Sequence, residues 1–491
     1  MNTSFMIILA ILFPVLCGVW ILLCPGLKER SALHRAAGAG LVITTVLAAA
    51  VIFGSSGALN LPGGGVLKLY FCVDTLGRLI GAVVCVVWLL AGFFSFEYMK
   101  HEGNEKRYFG FYLLVYGVLL ALCFSGNLVT YYLFYELMTL TAVPLILHSG
   151  TRESIMAAVK YLLYSMCGAY LVLFGIYFLN HYTVSLNFTP GGSLNPDLVS
   201  GNEALLLVVT FLLIVGFGAK AGMFPLHAWL PAAHPVAPAP ASAVLSGLIV
   251  KMGVLGIIRG LYYIVGADFI RGTWVQTAWL ALTLLTVFMG SMLAYREPVM
   301  KKRLAYSTVS QASYILFGLA LLQPQAMAGA LLHVVFHALI KSCLFLCVGA
   351  MIFKTGKTRV EEFRGIGKEM PVTVWCYTFA SLALIGIPPA SGFISKWYLA
   401  EGSLNSGIRV FSWLGPVILL ISALLTAGYL LPVTIRGFLP GSDFDYGSLR
   451  KMEPVKIMTV PLLILAILAV VLGMVPNPLI RYIAQIAESI L

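Results

Sequence analysis

Residues 216–235 read GFGAKAGMFPLHAWLPAAHP and sit inside an apolar run, yet they hold a lysine, two histidines and three prolines. A lysine at the centre of a bilayer costs a few kcal/mol or more. A proline there removes a backbone donor where no water replaces it. A chain that keeps both has a use for them, and the sequence around the stretch narrows what that use is.

The chain has 491 residues, of which 60% are hydrophobic and 10% charged. Soluble domains carry about a quarter charged residues, and a mean hydropathy of +0.96 implies lipid as the main solvent. The fold class read from this is an all-α polytopic membrane protein. Fourteen spans are expected, at about 4–24, 36–54, 72–96, 108–124, 127–148, 154–179, 204–230, 238–258, 274–294, 304–322, 326–352, 372–399, 411–432 and 457–475. The net charge of +12 does not indicate nucleic acid, because the basic residues lie in short loops between spans. Twenty Lys and Arg fall in loops after odd-numbered spans and four in loops after even-numbered ones, the latter being Lys68, Arg259, Arg271 and Arg409. This bias puts the odd-numbered loops in the cytoplasm and both termini outside.

The nine cysteines are scattered, with no CxxC pair. Cys343 and Cys347, four apart, read as helix packing, so no disulfide, zinc or iron–sulfur centre is expected. The N-terminus lacks a positive n-region and reads as an uncleaved first helix. No GxGxxG or Walker A motif is present, and no cofactor and no catalytic centre are expected.

Six Lys and Arg are left inside the spans: Arg78, Lys160, Lys220, Lys251, Lys341 and Lys396. Of the acids, Glu136 is deep in span five and Asp74 opens span three. Ionisable residues at this depth point to function. Asp74 and Arg78, four apart near one end of their span, are expected to pair with each other. Lys160, two turns into span six, has an interfacial alternative in snorkelling. Lys220 and Lys251 sit too deep for that. An unpaired Glu136 would protonate, so Lys220 is its natural partner. In span eleven His333, His337 and Lys341 recur every four residues, on one helix face over about 12 Å. Such a row suits proton relay, since histidine changes charge near neutral pH and a desolvated lysine's affinity for its proton falls. His227, just past the proline break, is expected to gate water or join the row. His234 is placed at a cytoplasmic loop, as a structural or entry group.

Spans seven and twelve are each interrupted by Gly and Pro beside a lysine, in AKAGMFPLHAWLP and LIGIPPASGFISK. Paired breaks of this kind point to an ion site built from repeats. The expected organisation is a three-helix segment at 1–107, a first inverted repeat of helices 4–8 at 108–263, a second of helices 9–13 at 274–432, and a loop, helix 14 and tail at 433–491.

These motifs resemble the antiporter-like subunits shared by respiratory complex I, Mrp-type sodium/proton antiporters and membrane-bound hydrogenases. The resemblance rests on YELMTL around Glu136, on 219–253 holding Lys220 and Lys251, on KKRLAYSTVSQASY at 301–314, on HALIKSCLFLCVGA at 337–350, and on GIPPASGFISK ending in Lys396. It implies a pair of Glu136 with Lys220 and a hydrated axis through Lys251, His333, His337, Lys341 and Lys396. It also implies homologous membrane subunits as partners, H⁺ and optionally Na⁺ as cargo, and a bacterial or archaeal cell membrane. The chain ends too soon after span fourteen for the L-type, and Lys396 stands where the M-type tends to have glutamate. AHPVAPAPASA at 233–243 is most similar to the Mrp and hydrogenase-associated branch. Two other functions stay open at this point, a stand-alone solute carrier and a non-conducting scaffold.

Overall fold

The computed structural model describes residues 3–27, 29–61, 68–442, 444–445, 447 and 449–491. The loop cation Lys28 lies outside them. The chain is a polytopic helical membrane protein. Its helices are α1 Thr3–Leu23, α2 Arg30–Phe53, α3 Thr75–Glu102, α4 Glu105–Cys123, α5 Leu128–Ile146 and α6 Arg152–Tyr182. A broken α7 follows, made of Glu203–Ala221 and Trp229–Val236. Next come α8 Ala239–Val265, α9 Trp274–Arg296, α10 Met300–Ala320 and α11 Pro324–Thr355. A broken α12 (Pro371–Ile385 and Ser391–Leu404), α13 Arg409–Phe438, α14 Lys456–Met474 and α15 Asn477–Ile490 complete the order.

Twelve of these helices are long and apolar enough to cross a membrane unaided. Neither half of α12 is, because the break divides it, and α10 is not among the twelve either. Helix α10 carries Lys301, Lys302 and Arg303 in its first turn and Ser307, Thr308, Ser310, Gln311 and Ser313 along it, all five of the latter fully buried.

Helix α8 is buried along its whole length, and α11 from Ala326 to Met351. A helix surrounded by other helices normally presents apolar residues on every side. These two instead carry Lys251, His333, His337 and Lys341 into the middle of the bundle. Close approach is built with glycine. A Cβ on Gly253 would lie 2.6 Å from the Ala221 nitrogen and 2.7 Å from the Phe217 oxygen, so α8 rests directly on the backbone of α7 beside Lys220. A Cβ on Gly247 would lie 2.3 Å from Ser342 Oγ, which draws α8 equally close to α11. Two stretches of α8, Leu245–Ile249 and Ile258–Val265, are π-helical and flank Lys251. Such segments recur at functional sites.

Both breaks share a construction. The first half of α7 ends on Gly222 (φ 80°) and that of α12 on Gly386 (φ 92°), conformations that favour glycine. Prolines at 225 and at 388–389 then prevent the helix from resuming at once.

Three local expectations are corrected. Arg259 belongs to α8, not to a loop, because the second π-helical stretch carries the helix on to Val265, and the side chain is 1% exposed. Lys301 and Arg303 are likewise inside α10 and buried, since Lys301 reaches the carbonyls of Pro235 (3.1 Å) and Ala237 (2.5 Å). His234 is fully buried in the second half of α7, stacked on Phe345 at 4.7 Å. The sequence reading also left out a hairpin (β1 Ala58–Leu61, β2 Leu69–Cys72) and the amphipathic α15, which buries Ile483, Ile486, Ala487 and Ile490.

Gly253→Val should force α7 and α8 apart at the cost of overpacking, about 1–3 kcal/mol. Thermal unfolding in detergent checks this: a lower Tm is expected, and an unchanged Tm would contradict the close approach.

Candidate functional site: a buried row of lysines and histidines

Lys220 closes the first half of α7 and is 0% exposed. Its three ammonium hydrogens have three acceptors: Thr139 Oγ1 at 2.9 Å, Tyr161 OH at 3.1 Å and Ser165 Oγ at 2.7 Å. The Tyr161 ring adds a cation–π contact at 4.3 Å. Glu136 is not among these partners, and no ion pair joins the two. The expected pair is therefore not closed in this conformation. Its physical reason is local: hydroxyls from α5 and α6 satisfy all three N–H groups. Glu136 is half-buried one turn before Thr139, with its Oε1 buried and unpartnered.

Lys251 donates to the Ser246 carbonyl at 2.7 Å, and its Nζ lies 2.5 Å from His337 Nδ1. An ammonium only donates, so this contact requires a lone pair on His337 Nδ1. The hydrogen of the neutral ring then sits on Nε2, which has no protein partner. His337 stacks on His333 with ring centroids 5.7 Å apart. His333 is bracketed by Gln311 Oε1 at 3.1 Å and Ser395 Oγ at 2.9 Å, and Ser395 Oγ also reaches the Gly392 carbonyl at 3.2 Å. When Ser395 donates to Gly392, both ring nitrogens of His333 face acceptors. The ring can hold one proton or two without moving.

Lys341 donates to the Leu304 carbonyl at 3.0 Å. That same carbonyl accepts from Thr308 Oγ1 (2.9 Å), which bonds Ser246 Oγ (2.7 Å) beside the Lys251 anchor. Polar groups of α10 thus link Lys251 to Lys341. At the far end, Lys396 donates to the carbonyls of Leu384 (2.7 Å) and Ile385 (2.9 Å). These are freed carbonyls at the end of the first half of α12, where a cation is favoured. Lys396 also lies 5.2 Å from the centre of the Tyr314 ring, which stacks on His333 at 5.6 Å.

The structure therefore brings Lys251, His333, His337, Lys341 and Lys396 into one network, with Lys220 across the α7–α8 contact. Of the accessory candidates, Lys160 is exposed and outside it. His227 lies in the α7 break against Phe224 at 5.9 Å, with Nδ1 unpartnered. His234 has both ring nitrogens buried and unpartnered.

Asp74 and Arg78 do not pair, which corrects the i,i+4 expectation. Asp74 receives Arg259 through both terminal nitrogens, at 2.5 and 2.8 Å, and caps α3 by accepting from Gly77 N at 2.8 Å. Asp74 caps α3 with its carboxylate turned onto the first-turn amide, and Arg259 reaches that carboxylate bidentately from α8. Arg78 turns to the Ile52 carbonyl at 2.9 Å and to Ser56 Oγ at 3.3 Å.

The sequence reading missed the hydroxyls and the amide of this site: Thr139, Tyr161, Ser165, Ser246, Thr308, Gln311 and Ser395. One signal for part of them was present. Five Ser, Thr and Gln within seven residues of α10 are too many for a lipid-facing helix.

With this network described, the relatives can be compared. Residues 125–426 match the family described as NADH:quinone oxidoreductase/Mrp antiporter, TM. The chain belongs to that family. It is 34% identical over 428 residues to the N-type subunit of the NADH-quinone oxidoreductase of Desulforudis audaxviator, covering 84% of each chain. It is 30% identical over 493 residues to the D-type subunit of the Na(+)/H(+) antiporter of Bacillus subtilis, covering 99% of this chain and 97% of that one. Its fold is shared with a chain of the membrane-bound sulfane sulfur reductase, an archaeal respiratory membrane complex, with a TM-score of 0.86, 22% identity and coverage of 99% and 97%. The family resemblance read from the motifs is thus confirmed.

Asp74→Ala should leave Arg259 buried and uncompensated, a loss of about 3–5 kcal/mol. Removing both charges with Arg259→Leu in the same chain should restore much of it, read by thermal unfolding. Equal losses in the single and the double variant would contradict the pair.

Proposed function

We propose that the chain is a proton-translocating membrane subunit of a multisubunit complex, redox-driven or Mrp-type, in a bacterial or archaeal cell membrane. Homologous antiporter-like subunits are its neighbours there. The carrying observation is the 2.5 Å contact between Lys251 Nζ and His337 Nδ1, an ammonium against an imidazole lone pair with no carboxylate beside it. Transfer of one proton along that bond gives a neutral amine and an imidazolium. His337 then has two N–H groups, and His333, held between Gln311 and Ser395, is the next group able to take a proton.

On the other side of Lys251, Lys220 exchanges partners. In its hydroxyl cage Lys220 has only neutral acceptors, and this weaker hold lets its proton pass to Lys251. Moving the resulting amine toward Glu136 favours the charged form again, so a new proton is taken up as the ion pair closes. Buried polar atoms without protein partners lie along the row, at Glu136 Oε1, Tyr135 OH, His337 Nε2 and Gln311 Nε2. They supply the positions that water occupies in a hydrated axis. Lys341 and Lys396, each anchored to carbonyls alone, extend the row. The two five-helix units, α4–α8 and α9–α13, are read as inverted repeats that each contribute one broken helix.

No redox motif accompanies the row, so the driving energy comes from partner subunits. Exchange of H⁺ for Na⁺ is the second reading, favoured by the name of the Bacillus subtilis relative.

In the reconstituted complex, Lys220→Ala and Glu136→Ala should each abolish proton transport while assembly persists. Full transport by either variant would contradict the relay and favour the scaffold reading. A sodium flux that follows an imposed pH gradient and is lost in Lys220→Ala would establish exchange, and proton transport without such a flux would exclude it.

A further inference from the structure

An apolar groove of about 500 Å³ runs between the first half of α12 and α14, lined among others by Val372, Trp375, Phe379, Leu463, Ile467 and Val471. It opens outward, with Trp375 50% and Ile467 56% exposed. The two helices run side by side in the same direction. Residues just before α14 meet the start of α12, since Glu453 accepts from Val372 N and Thr373 N, at 2.5 and 3.2 Å, and from Thr373 Oγ1 at 2.8 Å. At the other end, Gly473 packs against residues 389–391 in the α12 break. The groove therefore runs along the axes of two helices between these two contacts.

Its mouth at the start of both helices is basic. Lys368, Arg450, Lys451 and Lys456 are all exposed there. The segment carrying Arg450 and Lys451 is held beside residue 369 by Met452 N donating to the Glu369 carbonyl at 3.1 Å. Glu369 and Glu453 are acids beside this mouth, and the Glu453 carboxylate is already occupied by the α12 amide groups. The exposed cations Lys451 and Lys456 stand at its rim, with a tryptophan on the first turns below them, where interfacial tryptophans sit.

We infer that this groove is a specific site for an anionic phospholipid, with an acyl chain along Phe379, Leu463 and Ile467 and the phosphate against Lys451 and Lys456. An apolar slot alone would take any lipid or a helix of another subunit. The basic mouth is what selects a negative headgroup, at about 1 kcal/mol for each cation near the surface. The groove is lined by the half of α12 whose last two carbonyls anchor Lys396, and the lipid proposal itself does not depend on proton transport.

Native mass spectrometry of the purified full chain with phosphatidylglycerol or phosphatidylcholine of the same acyl chains tests this. Two cations predict about 30-fold tighter retention of phosphatidylglycerol. Lys451→Glu with Lys456→Glu should bring the two lipids to parity. Ala466→Phe, which fills the groove, should weaken both while keeping a preference for phosphatidylglycerol in whatever binding remains. Equal retention by the wild type, or a wild-type preference that survives the charge reversal undiminished, would overturn the proposal.

Discussion

Each lysine of this row is satisfied without a carboxylate. Lys220 is held by three hydroxyls, Lys251 by a carbonyl and an imidazole, Lys341 by a carbonyl and Lys396 by two carbonyls. This constraint organises the rest. A carboxylate at contact distance would lock each charge in place, and a fully apolar setting would not tolerate it. Neutral oxygen and nitrogen acceptors hold a cation with hydrogen bonds but do not neutralise it. The proton is therefore held by geometry that small movements can change. Arg259 shows the contrast. Its charge is clamped bidentately by Asp74, and it serves as a fixed strut between α3 and α8.

The broken helices and the π-helical turns follow from the same need. Neutral acceptors at membrane depth come from hydroxyls and from backbone carbonyls released from the helical ladder. The break in α12 releases the carbonyls of Leu384 and Ile385 to Lys396, and the first π-helical stretch of α8 includes the Ser246 carbonyl that anchors Lys251. Glycines at 247 and 253 let α8 approach α11 and α7 closely enough for the row to connect.

Much of this was legible in the sequence, and the rest was hidden for identifiable reasons. The lysines and histidines stood out because charged residues are rare in apolar runs, and the breaks stood out because Gly and Pro interrupt them. Serine and threonine are ordinary in transmembrane helices, so Thr139, Ser165 and Ser246 gave no signal until the fold brought them to the lysines. Arg259 was assigned to a loop because an arginine past an apolar run normally ends the span, and nothing local announces a π-helical extension or a partner 185 residues away. Helix α10 was seen as a span, but its buried Lys301 and Arg303 were counted as topology signals. Their acceptors include the carbonyls of Pro235 in α7 and Tyr429 in α13, which no local pattern reveals. The Glu136–Lys220 couple was chosen on charge and on the family resemblance, whereas the folded chain offers Lys220 three hydroxyls as well.

The central claim is that Lys251 must give up its proton and not merely carry charge. Lys251→Arg tests it most directly, because arginine preserves the positive charge and cannot be deprotonated in a protein. Measured in the assembled, reconstituted complex, proton transport should fall to the level of an inactive control while the complex remains intact. Transport at the wild-type rate would contradict the relay and assign Lys251 an electrostatic or structural role.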